Sequence, residues 1–291
     1  MAYTIRISRV VGDIVVIACC AIPLLLFELL AKPYKRGFYC DDESIRYPFR
    51  KSQVSRQICA IVGTIVGLVI IIITEIFRVL VLDRKYENEF VTYMFKGHDV
   101  HRIVVRLYCF IGYFLLGIVF NQLLVDIGKY TIGRQRPHFM DVCQPSRGYN
   151  ECTTPNKYIT DFTCTGTDQY LINESMLSFF SGHSAFSFYV AWFCSLYLRA
   201  RIYRPVFSRI LVPAIQFLLL GTAGWVALTR ISDYKHHWSD VLVGALLGSA
   251  VGILMALFVA EVFDRREIPT SYSSLDKLSS VVKNGHIIIP L

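Results

Sequence analysis

The sequence predicts an all-α, polytopic membrane protein, a helical bundle with six transmembrane helices. Two observations carry that prediction. Of 291 residues, 54% are hydrophobic and only 18% are charged, with a mean hydropathy of +0.46; a soluble domain of this length needs more charge to cover its surface. The apolar residues also gather into six long runs, at about 10–30, 58–82, 103–125, 179–198, 210–228 and 241–263. A helix of about 20 apolar residues crosses a bilayer core. The net charge of +8 suits basic loops beside anionic headgroups. No Lys/Arg block with interleaved aromatics marks a nucleic-acid surface, so nucleic acid is not an expected partner.

The first run lacks a small-residue cleavage site and holds Asp13 and Glu28, which reads as a retained signal anchor. In the second, Glu75 and Arg78 lie three apart on one helix face, where they are expected to pair or to snorkel. Gly63 and Gly67 in that run, and Gly244, Gly248 and Gly252 in the last, permit close helix approach. Packing within the bundle is the preferred reading, with a homo-oligomer interface as the alternative. The connection at 126–178 is the longest, and long connections carry function or are disordered. No segment is long enough for a separate soluble domain. Residues 1–291 therefore read as one membrane-embedded domain, with 264–291 as a cytoplasmic tail.

Lys and Arg divide evenly between the two sides of a six-span topology, so the positive-inside rule does not orient the chain. Asn173-Glu174-Ser175 is a glycosylation sequon and places the 126–178 loop outside or in a lumen. The termini are then cytoplasmic. Of nine cysteines, Cys40, Cys143, Cys152 and Cys164 fall in the loops exposed to the oxidising side, enough for two bridges of unreadable connectivity. Cys19, Cys20, Cys59, Cys109 and Cys194 lie in the spans as packing residues.

Three polar segments sit at the outer ends of their spans: Lys129 to His138, Phe179 to Ser184, and Thr229 to Asp240. Lys129, Arg136 and Arg230 supply fixed positive charge for a tetrahedral oxyanion. Ser181 and Gly182 add backbone N–H groups at a helix start. His183 and His236 can act as nucleophile and proton donor. Asp240, four residues after His236, can hold an imidazole on the same helix face. These are the parts of a phosphoryl transfer. Singly, each has a plainer explanation in headgroup contact or capping; together they point to chemistry. Spacing alone does not separate His236 from His237.

The spacings resemble the type-2 phosphatidic acid phosphatase superfamily, whose pattern is K-x6-R-P, P-S-G-H and S-R-x5-H-x3-D. Lys129, Arg136 and Pro137 match the first element, Ser181, Gly182 and His183 the second, and Arg230, His236 and Asp240 the third. The whole chain is similar to the animal lipid phosphate phosphatase branch. The resemblance implies that His236 attacks phosphorus to form a phosphohistidine, His183 protonates the leaving alkoxide and Asp240 orients His236. Lys129, Arg136, Ser181, Gly182 and Arg230 would hold the phosphate. No cofactor and no magnesium are implied. The implied substrates are phosphatidate, lysophosphatidate, sphingosine 1-phosphate and ceramide 1-phosphate, at the plasma membrane. Phe180 replaces the proline and Thr229 the serine of the pattern, and a hydroxyl survives the second change. The alternatives are another phosphatase or phosphotransferase of the superfamily, or a non-catalytic binder or transporter of lipid phosphates.

Overall fold

The computed structural model describes residues 2–147, 156–204 and 208–269. Six long helices dominate it: α1 (Ile7–Leu30), α2 (Arg56–Phe77), α3 (Arg102–Ile132), α6 (Gly182–Arg201), α7 (Leu211–Ser232) and α8 (Trp238–Leu254). Two short ones, α4 (Phe139–Cys143) and α5 (Gln169–Ser175), lie between α3 and α6. α2 and α8 each end in a π-helical turn, Arg78–Leu82 and Met255–Val259.

Among the described residues five helices are long and apolar enough to cross a membrane, namely α1, α2, α3, α7 and α8 with their extensions. The predicted fourth run does form a helix, α6, but α6 is less apolar and occupies the middle of the bundle. It packs against α2, α3, α7 and α8, and Ser184, Tyr189, Cys194, Ser195, Tyr197 and Arg201 along it are all buried. A helix surrounded by protein gains its burial from neighbouring helices, so it tolerates hydroxyls and small residues that a lipid-facing helix does not. By contrast no described residue of α1 is buried, and that helix packs on α3.

The expectation of a purely α chain needs correction. Ala2–Thr4 (β1), Thr92–Phe95 (β3) and His98–Val100 (β4) form a three-stranded sheet, while Phe38–Tyr39 (β2) pairs with Tyr158–Ile159 (β5). Apart from β1, which precedes α1, these strands lie in connections, where backbone groups no longer satisfied by a helix must pair otherwise. The turn between β3 and β4 is Lys96-Gly97, both at positive φ, as a two-residue hairpin demands.

Helix α3 runs seven residues past the predicted end of its run and carries Lys129 on its last turn. It stops where Gly133 adopts the left-handed conformation, φ 58°, a common helix terminator. The long connection after it is not a bare loop. Phe38, Ile45, Phe139, Met140, Cys143 and Phe162 build a second small core there, stapled by the Cys143–Cys164 disulfide. Cys40 is disulfide-bonded too; Cys152 lies outside the described residues, as does most of the predicted tail. Cys19, Cys20, Cys59, Cys109 and Cys194 are free thiols.

The glycine stripes are used inside the bundle. Gly244, Gly248 and Gly252 face the α6 backbone at Ser181, Ala185 and Tyr189, and Gly63 and Gly67 face the rings of Phe186 and Phe114. A Cβ at Gly252 would stand 2.8 Å from the Tyr189 carbonyl oxygen, closer than packing allows. Glu75 and Arg78 do not pair with each other. Glu75 takes both forks of Arg201, at 2.7 and 3.0 Å, and Arg78 joins Asp83 at 3.4 Å.

Candidate active site

All three predicted polar segments meet at one end of the bundle. The Ser181 N–H donates to the Asp240 carbonyl at 3.0 Å, the Ser178 N–H to the Arg134 carbonyl at 2.9 Å, and the Arg136 N–H to the Ser175 carbonyl at 2.8 Å. These backbone bonds clip the start of α6 to the loop after α3 and to the start of α8. Ser181 caps α6, its hydroxyl accepting from the Ser184 N–H, so the free N–H groups of the first turn and their positive field point into the site. The Lys129 ammonium lies 3.8 Å from where a Cβ on Gly182 would sit, which brings the first cation to that helix start.

His236 lies in the short connection between α7 and α8 and is 4% exposed. Its Nδ1 is 2.7 Å from the Ser178 carbonyl oxygen. A carbonyl can only accept, so Nδ1 carries the proton and Nε2 keeps its lone pair. Burial first, then the positive charges of Arg136 and Lys129 and the neighbouring His183, push the His236 pKa well below the usual value. The ring is neutral at physiological pH, as a nitrogen nucleophile must be.

The role expected of Asp240 is met only indirectly. Its Oδ2 is 3.9 Å from His236 Nδ1, beyond hydrogen-bond reach. That oxygen accepts from the Ser178 hydroxyl at 2.6 Å, from the His237 N–H at 3.1 Å and lies 3.3 Å from His237 Nδ1, while Oδ1 accepts from Arg134 at 2.5 Å. Asp240 thus pins Ser178, and Ser178 holds His236 through its carbonyl. Of the two imidazoles that spacing left equivalent, His237 is the nearer to Asp240, at 3.3 Å against 3.9 Å for His236.

His183 sits on the first turn of α6. Its Nε2 is buried with no hydrogen-bond partner among the described residues, and its ring is bonded to the backbone of Ser55. An unsatisfied buried ring nitrogen is costly unless a ligand completes it. Arg136 is similar: Nη2 donates to Glu174 at 2.8 Å, while Nε is buried and without a partner among the described residues. Arg230 is the contrast, since Nη1 donates to the Val54 carbonyl at 2.9 Å, Nη2 to Thr229 Oγ1 and Asp233, and Nε to Thr229 Oγ1. Thr229 in place of serine therefore does supply the hydroxyl, as an acceptor for Arg230.

Several residues of the site carried no motif. Glu174 on α5 faces the cations; burial opposes its ionisation, but Arg136, then Lys129 and Arg56, outweigh that and hold its carboxyl below the usual range. Asp233 accepts from the Gln53 N–H and side-chain amide, both at 2.8 Å, and so anchors segment 53–55 beside Arg230 and His183. The spacing Arg230 to Asp233, three apart, is a readable helix pair; nothing in the sequence points to Gln53, Val54, Ser55 or the Ser178 carbonyl. Asn173 is exposed on α5, at the same end of the bundle. No group of three His, Cys, Asp or Glu side chains is arranged for a metal ion among the described residues.

One end of the helical bundle therefore gathers a neutral buried histidine, a second histidine whose Nε2 lacks a partner among the described residues, and three cations near one helix start, groups able to bind and act on a phosphate. Comparison with known proteins identifies the group. The PAP2 superfamily model matches residues 110–264, which takes in all three segments. Phospholipid phosphatase 1 of Rattus norvegicus is 38% identical over 264 residues, covering 90% of this chain and 88% of the relative. Phospholipid phosphatase 2 of Homo sapiens is 38% identical over 255 residues, covering 87% and 83%. No solved structure matches the chain. The chain belongs to the PAP2 superfamily and is a hydrolase of the phosphatase class.

Proposed function

We propose that this chain removes phosphate from lipid phosphate monoesters at a membrane surface, through a phosphohistidine on His236 and without magnesium. The substrates are phosphatidate, lysophosphatidate, sphingosine 1-phosphate and ceramide 1-phosphate. The observation that carries the reading is the state of His236, neutral and with its Nδ1–H held by the Ser178 carbonyl. Nε2 then forms an N–P bond as the ester P–O bond breaks. Lys129, Arg136 and the first-turn N–H groups of α6 stabilise the charge on the equatorial oxygens. His183, with its Nε2 uncommitted, enters as imidazolium, which the bound phosphate dianion favours. It gives its Nε2 proton to the leaving lipid alkoxide, then as a neutral base takes a proton from the water that hydrolyses the phosphohistidine.

In this reading α6 is the fourth of six spans, and the catalytic end faces the cell exterior or a lumen with both termini cytoplasmic. The Cys143–Cys164 bridge supports that orientation, because it belongs to the small core beside the site and such bridges persist in oxidising compartments. Asn173 is then glycosylated, and the plasma membrane is the site of action.

The test uses purified protein with magnesium chelated and dioctanoyl phosphatidate as substrate. Phosphate release is expected from the native chain and a loss of roughly 10⁴-fold or more from His236→Ala, the scale seen when a nucleophile is removed. Acid-labile phosphate should be trapped on the native chain alone. Persistent turnover by His236→Ala would overturn the nucleophile, and faster turnover of a soluble sugar phosphate would overturn the lipid reading.

A further inference from the structure

A cavity of about 220 Å³ lies at the end of the bundle opposite the histidines, lined by Phe90, Tyr93, Arg102, Glu267, Ile268 and Pro269. Arg102 is the first residue of α3, whose last turn carries Lys129; at about 1.5 Å per residue the two ends stand roughly 40 Å apart. The cavity is therefore independent of the catalytic site.

Arg102 is 8% exposed, yet its Nε is buried without a hydrogen-bond partner. Its guanidinium makes no hydrogen bond or ion pair among the described residues; it rests on the Phe90 face, 4.3 Å from the ring centroid. Arg106, one turn along the same helix, shows the opposite condition. It binds Asp83 at 2.9 Å and Glu267 at 2.7 Å. The Glu267 carboxylate on the cavity wall is thus already committed to Arg106. Glu89, also on the wall, is exposed to solvent, where its charge is screened. The uncommitted charge of the cavity is that of Arg102, and burying a guanidinium without an anion is expensive.

Three features say which anion relieves it. Arg102 opens a membrane-spanning helix, so it stands at headgroup depth. The helix start adds a positive field, with His101 Nδ1 already accepting from the Ile103 N–H. Phe90, Ile268 and Pro269 give the same cavity an apolar wall suited to the glycerol and first methylenes of a lipid. We propose that this cavity binds the phosphate of a phospholipid headgroup from the leaflet opposite the catalytic end, with Arg102 as its forked donor. Free inorganic phosphate offers the same charge without the apolar part, and the experiment separates the two.

Thermal unfolding of the full chain in non-ionic detergent is followed while dioctanoyl phosphatidylglycerol is added; this lipid is a diester and presents no monoester to the catalytic histidines. The native chain should show a saturable rise in melting temperature. In Arg102→Gln the apparent Kd should weaken at least tenfold, while hydrolysis of phosphatidate stays native. Without lipid, Arg102→Gln removes a charge that lacks an anion but also its stacking on Phe90, so it should melt close to the native chain; an arginine held by a structural ion pair would instead melt several degrees lower. Ile268→Trp fills the cavity from the opposite wall and should lose the lipid shift without touching Arg102. The proposal is overturned if both variants bind the diester lipid as the native chain does, or if the native chain shows no saturable shift. Equal stabilisation by inorganic phosphate alone would overturn the lipid as the occupant.

Discussion

The two ends of this bundle hold buried charge of similar composition in different conditions. At the end away from His183 and His236, Arg78, Arg106 and Arg201 face Glu75, Asp83 and Glu267, and backbone carbonyls after α8 join the set, with Arg78 donating to the Arg266 carbonyl and Arg201 to the Arg265 carbonyl at 2.8 and 2.7 Å. Tyr197 donates to Glu75 at 2.7 Å. At the catalytic end Lys129, Arg136 and Arg230 stand near Glu174 and Asp233, but His183 Nε2 and Arg136 Nε are left without partners among the described residues. At the first end three arginines meet three carboxylates, although Arg78 Nε and Arg106 Nη2 keep no hydrogen-bond partner among the described residues; at the other end three cations meet two carboxylates, and the surplus positive charge suits a ligand anion. Arg102 is informative for the same reason, since it is an unpaired cation placed beside a charge-balanced network.

The comparison breaks first, and most strongly, at Glu75. Glu75→Ala leaves Arg201 buried without its carboxylate and should cost about 3–5 kcal/mol, read as a large fall in melting temperature in detergent. The activity per folded molecule should remain. Arg136→Ala is the mirror experiment: kcat/KM for phosphatidate should fall by about 10²–10³-fold, as for loss of one donor to a developing oxyanion, with a much smaller change in melting temperature. If the first variant loses activity without stability, or the second the reverse, the division of labour is wrong.

The ends should also differ in pH response. His138 is 2% exposed, and its Nδ1–H meets the Tyr234 carbonyl at 2.7 Å. Burial first, then Arg136 and Lys235, lowers its pKa to about 4 against that backbone bond. The unfolded chain binds a proton near the usual value of about 6.5. The stabilisation from neutral His138 is therefore complete above pH ~6.5 and is lost as pH falls toward 4, at most roughly 3 kcal/mol. Melting temperatures taken between pH 7 and 5 should fall, and His138→Gln should flatten part of that slope. The smallest expected effect sharpens the site itself. Ser178→Ala keeps the carbonyl that holds His236 but removes the hydroxyl on Asp240, so kcat should fall only about tenfold while KM holds. A loss as deep as that of His236→Ala would mean that the hydroxyl, and not the carbonyl, positions the ring.

Much of the bundle was legible because transfer of a long apolar run into lipid is a local, additive quantity. Each predicted run became a helix; among the described residues the loop cysteines Cys40, Cys143 and Cys164 are disulfide-bonded and the five cysteines of the runs are free. α6 departs from the lipid-facing pattern because its neighbours are protein, and neighbours are not written in a run's own hydropathy. The small sheets escaped notice because strands of two to four residues have no usable period. At the site, Lys129, Arg136, Ser181, His183, Arg230, His236 and Asp240 could be named from three short motifs, since a phosphate demands cations and a proton relay whatever the fold.

The sequence alone determined the apolar character of the chain, the order of its long helices and which side chains gather at one end. The tertiary structure decided what each of those side chains touches. His236 is held by the carbonyl of Ser178, Asp240 acts one residue removed, and Arg230 leans on Val54 and Asp233 because segments far apart in the chain meet there. A hydrogen bond is won or lost over about half an ångström, and no spacing along one strand of sequence carries that information.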